Sequence, residues 1–266
     1  MSRSARRIWG LIYRHLALYR RSWPRLLDLS YGPVLQMTIW GFTARYVLSG
    51  SGGALAGTAA TFLGGVLLWE VALHSQMGFS MSFLEEVWSR NLGHIFVSPL
   101  RPREMLAAFL VLSALRVAIG VVPAVALAWL LYAFDLFLLG PALLALFANL
   151  LVMGWWVALG VVAMVLRHGA GAGALSWTVL FGLTPFAAVF YPVAVLPAAL
   201  RPVARALPAA HVFEGMRAVL QGAAMPWAEL AWAGGLNLAW LAAAVALFVF
   251  EFHTARTRGA LLVIGE

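Results

Sequence analysis

The sequence predicts an all-α integral membrane protein, and its composition, its apolar stretches and the placement of its arginines each support that prediction. Of the 266 residues, 63% are hydrophobic and 11% are charged, and the mean hydropathy is +0.90. Such a chain has too few polar side chains to cover a water-soluble core. One helical crossing needs about 20 apolar residues, so about six crossings fill the chain as a single membrane domain, residues 1–266. No room is left for a soluble catalytic domain.

The first element, residues 4–21, is predicted to be an amphipathic helix. Arg7, Arg14 and Arg21 recur every seventh residue on one face, and another face is apolar. The apolar face consists of Ile8, Leu11, Ile12, Leu16 and Tyr19. A signal peptide is disfavoured because Arg14, Arg20 and Arg21 interrupt the apolar residues. We therefore expect residues 1–25 to form a helix that lies on the membrane surface.

Apolar stretches long enough to cross a bilayer follow this helix. They cover residues 26–48, 55–81, 105–134, 141–166, 174–191 and 228–250. Together they predict a six-span core over residues 26–250, with residues 251–266 as a cytoplasmic tail.

The orientation follows from the basic residues, all of which are Arg. If the N-terminus is cytoplasmic, most of the arginines outside the spans lie on that side, as the positive-inside rule requires. Both termini and the segment 83–103 are then cytoplasmic. The net charge of +8 indicates anionic lipid headgroups as partners rather than nucleic acid. We expect a bacterial inner membrane as the location.

The segment 83–103 is polar and lies between two long apolar stretches. Residues 85–95 can form a short amphipathic helix, which Pro99 and Pro102 would end before the third span begins. A short helix joined to two spans without slack can turn a push from a soluble partner into movement of the spans. We interpret it as a coupling helix; the alternative is an ordinary solvated loop.

The segment 184–217 contains five prolines, which divide an apolar stretch into helices too short to cross a bilayer. We expect a re-entrant hairpin at the outer leaflet, formed by residues 198–207 and 211–220, that guards an exit. Its candidate residues are Tyr191, Pro192, Pro197, His211, Glu214 and Arg217. The alternative is a kinked seventh crossing.

Glu70 and Arg116 are charged residues inside predicted spans. A charge in the middle of a bilayer costs at least about 2.5 kcal/mol, so neither side chain is expected to face lipid. Counting along both helices places the two residues at a similar depth of about 18 Å. We predict a buried ion pair between them. In the alternative, Glu70 lines a pathway or relays protons together with His74, one helical turn away.

Two motifs carry a family resemblance. The segment from Glu85 to Glu104 reads Glu-Glu-x-x-x-Arg-Asn followed by Val-Ser-Pro-Leu-x-x-x-Glu, and the segment from Phe190 to Arg217 begins Phe-Tyr-Pro and ends His-x-x-Glu-x-x-Arg. With these motifs before the third and the last span, the chain resembles the type-2 ABC transporter permeases over nearly its whole length. The resemblance implies an exporter half, in which two permease subunits are served by a pair of separate ATP-binding subunits.

The resemblance also implies which residues meet the ATP-binding subunit. They are Glu85, Glu86, Arg90, Asn91 and His94. A Walker A motif is excluded because the chain contains no Lys, so ATP and Mg²⁺ are expected on the partner subunit. We predict no enzyme activity, catalytic residue, metal site or cofactor on this chain.

The expected cargo is a lipid-linked glycan, a lipid or an amphipathic small molecule that leaves the cytoplasm or the inner leaflet. The second permease is expected to be an identical copy or a close homologue. Other interpretations are an ion-coupled secondary transporter that uses Glu70, a membrane scaffold that transports nothing, or an intramembrane enzyme.

Overall fold

The computed structural model describes residues 2–50, 56–92 and 98–258. The regular secondary structure of these residues consists of α-helices and 3₁₀-helices, without a β-strand. The α-helices in chain order are α1 Arg3–Arg21, α2 Trp23–Gly50, α3 Ala56–Trp88, α4 Pro102–Tyr132, α5 Pro141–His168, α6 Leu175–Leu183, α7 Arg201–Arg205, α8 Pro208–Leu220 and α9 Trp227–Thr257. The prediction of an all-α protein is therefore confirmed.

Four of these helices are long and apolar enough to cross a membrane. They are Gly57–Trp88 within α3, Pro102–Tyr132, Pro141–His168 and Trp227–Thr257. Helix α2 has 28 residues, but its sequence is more polar and includes Arg25, Asp28 and Arg45. Helix α6 has only nine residues, too few for a crossing by itself. The chain is thus a multi-pass helical membrane protein, and the count of six spans stays a prediction.

Helix α3 lies at the centre and packs against α2, α4 and α5. Its crossing with α5 is very close, because Gly154 lies directly against α3. A Cβ atom at position 154 would be 2.5 Å from Cβ of Ser75, and Ser75 Oγ donates a hydrogen bond to the Leu151 carbonyl at 2.8 Å. Small residues at such a crossing let two backbones approach, which is the usual basis of helix association in membranes.

Helices α5 and α9 are joined by a buried polar network in an otherwise apolar interface. Asn237 Nδ2 donates to Asn149 Oδ1 at 2.9 Å, and Asn237 Oδ1 accepts from Trp156 Nε1 at 3.0 Å. The Trp156 indole stacks on Trp240 with ring centroids 5.3 Å apart. Because no water competes inside a bilayer, such amide contacts fix how two helices pack.

Helix α1 covers the residues predicted as an amphipathic helix, and its apolar face packs against protein. Its place on the membrane surface stays a prediction. Leu11, Ile12 and Tyr19 are buried, mainly against α4. Trp9 and Tyr13 are exposed on the opposite face. The same helix therefore has one face for the bundle and an aromatic face for its surroundings.

Two predicted boundaries differ from the structure. Helix α3 continues to Trp88, past the predicted end at residue 81, because residues 82–88 contain neither Gly nor Pro and pack against α1 and α4. The fifth predicted span, residues 174–191, is divided: a 3₁₀ segment Ala170–Ala174 leads into α6, which ends before the turns at 184–188. Pro185 contributes to that end, since it has no N–H with which to continue the helical hydrogen-bond pattern.

Candidate functional site

The described part of the chain concentrates its polar groups in three places: a junction between α1, α3 and α4, a cavity between α2, α3, α4 and α6, and the segment between α6 and α9. At the junction, Glu86 is fully buried in the last turn of α3. Its Oε1 accepts from Arg14 Nη2 at 2.5 Å and lies 3.2 Å from His15 Nε2, and its Oε2 accepts from Asn91 Nδ2 at 2.7 Å. This carboxylate therefore ties α1 to the end of α3.

His15 lies between two carboxylates of the junction. Its Nδ1 is 3.4 Å from Glu85 Oε2, and its ring meets Phe109 edge-on. Burial by itself lowers the pKa of His15, but the hydrogen bonds and charges of Glu85 and Glu86 outweigh it, so the pKa is raised above its usual value. The protonated imidazole is thus favoured, and it neutralises part of the negative charge of the two carboxylates.

Glu104, at the start of α4, holds the other end of α1. Its Oε1 accepts from Ser4 Oγ at 2.6 Å and lies 3.5 Å from Arg7 Nη1. Its Oε2 accepts from the backbone N–H of Arg101 at 2.9 Å and so also caps α4. Helix α1 therefore bridges the end of α3 and the beginning of α4, and the three elements form one block.

The predicted coupling helix at residues 85–95 is wrong in its first half. Glu85 and Glu86 belong to the last turn of α3, and the backbone of Asn91 turns back to donate to the Glu86 carbonyl at 3.0 Å. Glu86 faces α1 and is not accessible to a soluble partner. Arg90 is exposed with a positive φ of 53°, which marks the turn.

Two further residues of this part of the sequence are His94 and Trp88. His94 lies outside the described residues. Trp88, which the sequence reasoning did not select, is exposed at the very end of α3. A tryptophan two residues after a pair of acidic residues at the end of an apolar helix was the signal, since exposed Trp is typical of protein interfaces.

The cavity has a volume of about 300 Å³ and lies between α2, α3, α4 and α6. Its polar lining comes from Asp28, Gln36, Glu70, His74 and Arg116, and its aromatic lining from Tyr31, Trp177 and Phe181. Glu70 is buried, and its Oε2 lies 3.2 Å from His74 Nδ1. The alternative that places Glu70 and His74 together fits this geometry.

The predicted ion pair between Glu70 and Arg116 is wrong, although both residues are buried. Arg116 Nη2 lies 3.3 Å from Glu85 Oε1, and its guanidinium sits over the Tyr19 ring. The reason is register: Gly78 of α3 packs against Ser113 and Arg116 of α4. From Gly78, Glu70 is eight residues away along α3 and Glu85 is seven residues away in the other direction, so both lie about 10–12 Å away along the helix axis. A helical side chain points toward the N-terminus of its own helix, and α4 begins at the Glu85 end, so Arg116 reaches Glu85.

The segment between α6 and α9 contains two short helices, α7 and α8, close to the predicted residues 198–207 and 211–220. Side chains of α8 hold the preceding loop. Glu214 Oε1 accepts from the Val193 N–H at 2.7 Å, and Arg217 Nη1 donates to the Ala188 carbonyl at 2.9 Å. Arg217 and Glu214 also pair with each other at 3.3 Å.

His211 joins this segment to α9. Its Nδ1 lies 2.6 Å from Glu229 Oε2, and its Nε2 lies 3.0 Å from the Arg205 carbonyl. Tyr191 donates its hydroxyl to the Pro185 carbonyl at 2.6 Å, and Pro192 and Pro197 flank the 3₁₀ turn Val193–Val195. The structure thus brings the predicted hairpin residues into one fixed unit. Its depth in the membrane stays a prediction.

Among the described residues, no three His, Asp or Glu side chains are grouped as ligands for a metal ion. Long apolar helices with buried polar groups define the class as a multi-pass helical membrane protein. The family model of the ABC-2 type transporters matches residues 6–220, so the chain belongs to that family of ABC transporter permeases. The family implies pairing with an ATP-binding subunit. Comparison with curated proteins finds no match.

Proposed function

We propose that this chain is the permease subunit of an ATP-driven exporter and that force from the ATP-binding subunit enters through the α1, α3 and α4 junction. The observation that carries the proposal is the buried Glu86, which holds Arg14, His15 and Asn91 together. A block fixed by buried charged contacts moves as a unit, whereas a solvated loop would absorb a push. Helices α3 and α4 leave this block and pass through the bundle, so displacement of the block displaces both.

The docking surface for the ATP-binding subunit is the exposed end of this block. Trp88 and Arg90 are exposed there, beside the exposed Ser98, Pro99 and Arg101. Trp and Arg are the residues that most often dominate binding energy at protein interfaces. Glu86 acts behind this surface, because its buried carboxylate binds α1. Glu85 is partly exposed and pairs with His15 and Arg116.

The full assembly that we propose contains two permease copies, or two close homologues, in a bacterial inner membrane. Helix α2 and the segment from Ala170 to the turns at 184–188 complete six crossings, with both termini cytoplasmic and α7 and α8 at the outer side. ATP and Mg²⁺ bind only to the partner subunit. The cargo is a lipid-linked glycan, a lipid or an amphipathic small molecule.

The test is co-purification of the chain with the ATP-binding subunit, followed by ATP hydrolysis in proteoliposomes. Trp88→Ala and Arg90→Glu are each expected to weaken co-purification at least about tenfold, as loss of an interface anchor does. The matched controls are Trp227→Ala and Arg258→Glu, which change an exposed Trp and an exposed Arg away from the junction. Both should co-purify like the unaltered chain.

Two outcomes would count against the proposal. If Trp88→Ala and Arg90→Glu co-purify with the ATP-binding subunit as well as the unaltered chain does, the proposed docking surface is wrong. Transport driven by an ion gradient in the absence of ATP, and abolished by Glu70→Gln, would favour the ion-coupled transporter instead.

A further inference from the structure

We propose that the cavity between α2, α3, α4 and α6 binds an amphipathic organic cation. The proposal rests on the proposed export function, because it names the chemical class of the cargo. It is argued from the charge, the unused donor and the aromatic surface of this cavity.

The charge of the cavity favours a cation. Its lining contributes two carboxylates, Asp28 and Glu70, and one guanidinium, Arg116. The Arg116 charge is already paired with Glu85, 3.3 Å away. With histidine counted as neutral, the lining therefore carries an unbalanced negative charge. In the low dielectric of a membrane protein such a charge attracts a positive ligand more strongly than it would in water.

Arg116 adds a hydrogen-bond donor that no other described residue uses. Its Nε is buried and has no hydrogen-bond partner. A buried donor without a partner is unfavourable, so a ligand with a hydroxyl, ether or carbonyl oxygen gains a contact there. A ligand with a charged amine near Glu70 and an oxygen near Arg116 would use the negative charge and the unused donor of the cavity together.

The apolar part of the ligand has a matching surface. Tyr31 from α2 and Trp177 and Phe181 from α6 line the cavity, and each ring is more than half exposed. Aromatic faces attract both a cation and the flat apolar rings that accompany it. A volume of about 300 Å³ is at the lower end of small-molecule sites, so a single ligand of modest size is expected.

The experiment measures binding of two hydrophobic ions of similar shape and opposite charge. Radiolabelled tetraphenylphosphonium and tetraphenylborate are dialysed separately against the full-length chain in lipid nanodiscs, without the ATP-binding subunit. Saturable binding of the cation is expected at concentrations at least about tenfold lower than for the anion, since each factor of ten corresponds to only about 1.4 kcal/mol.

Variants then locate the site. Glu70→Gln is expected to weaken cation binding about tenfold without weakening anion binding, and Trp177→Ala to weaken cation binding about fivefold. Asp28→Asn should weaken it about threefold, and because Asp28 is exposed this variant keeps the test valid if Glu70→Gln folds poorly. The matched control is Glu251→Gln, which removes a buried carboxylate paired with Arg167 and leaves the cavity intact.

The proposal is overturned if the unaltered chain binds the anion as tightly as the cation, if it shows no saturable cation binding, or if Glu70→Gln and Asp28→Asn both bind the cation like the unaltered chain. Because the ATP-binding subunit takes no part in this assay, such a result leaves the docking experiment standing. Failure of co-purification would conversely leave the binding result interpretable.

Discussion

At the scale of single residues, His15 is a buried titratable group whose pKa depends on two acidic neighbours. It is buried between Glu85 and Glu86, and its pKa is raised by those carboxylates despite burial. A group whose pKa is higher in the folded state contributes stability that is complete below its unfolded pKa of about 6.5. That contribution is lost as the pH rises through the higher folded value. The junction is therefore expected to loosen in alkaline solution.

The corresponding prediction concerns His15→Gln. The unaltered chain in detergent should lose at least about 2 °C in Tm between pH 6 and pH 8.5, because deprotonation removes the contribution of His15. His15→Gln should show a smaller loss over the same range. The measurement is thermal unfolding followed by intrinsic fluorescence. His253→Gln, whose imidazole is exposed near the end of α9, is the control and should retain the full pH dependence.

A second prediction tests the contact between Arg14 and Glu86. Arg14→Gln and Glu86→Gln each remove one charge of the pair. Glu86→Gln should destabilise more, because it also replaces one of the two carboxylate oxygens by an NH2 group, so that His15 and Asn91 cannot both keep their acceptor. Direct pairing predicts that the double variant loses less than the sum of the single losses, by about 0.5 kcal/mol or more. Unfolding free energies in detergent provide the comparison. Strict additivity would contradict the contact.

At the scale of elements, the close crossing of α3 and α5 depends on one glycine. Gly154→Val should force α5 away from Ser75 and Ala72 and destabilise the bundle by at least about 1–3 kcal/mol, as overpacking does. Gly160→Val is the matched control, because a Cβ atom at Gly160 of the same helix meets no atom within 4 Å. Monodisperse yield and Tm in detergent are the measurements. Equal behaviour of both variants would show that the helices do not cross there.

The elements also show what the sequence could and could not predict. A helix at α1 with one apolar face followed from a repeat of apolar residues, since that pattern is local. The packing of that face against α4 did not follow from it. The end of α3 did not, because helix formation through residues 82–88 is supported by α1 and α4, which are distant in sequence. The error of seven residues at that end shifted the expected depth of Glu70 relative to Arg116. It therefore produced the wrong ion pair, although burial of both charges was predicted correctly.

At the scale of the whole molecule, composition and arginine placement led to a multi-pass membrane protein, and the two motifs led to the ABC-2 type transporter family. The cavity could not be predicted, because its lining comes from four helices. No local sequence pattern determines how these helices are rotated relative to one another. Nor could the sequence predict that Arg116 serves the junction rather than the centre of the bundle. Both facts depend on the axial position of α3 relative to α4.

The prediction for the whole molecule is its orientation across the membrane. Because the sequence contains no Cys, single introduced cysteines can test it. Arg90→Cys and Arg258→Cys should react with a membrane-impermeant maleimide only from the cytoplasmic side. Phe137→Cys and Val195→Cys, at positions exposed in the structure, should react only from the outside. Labelling of intact cells and inverted vesicles separates the two sides. Reaction of all four positions from one side would contradict six crossings.

The exposed face of helix α1 is expected to make the protein sensitive to the lipids around it. Its inner face is fixed to α3 and α4, while Trp9, Tyr13, Arg3, Arg6 and Arg20 point away from the bundle. Aromatic rings and guanidinium groups of this kind settle at the level of lipid phosphates. A tilt of the junction would then move α1 within the layer of lipid headgroups. Bilayers richer in acidic phospholipid should bind α1 more tightly, so the transport rate is expected to depend on the membrane as well as on the chain.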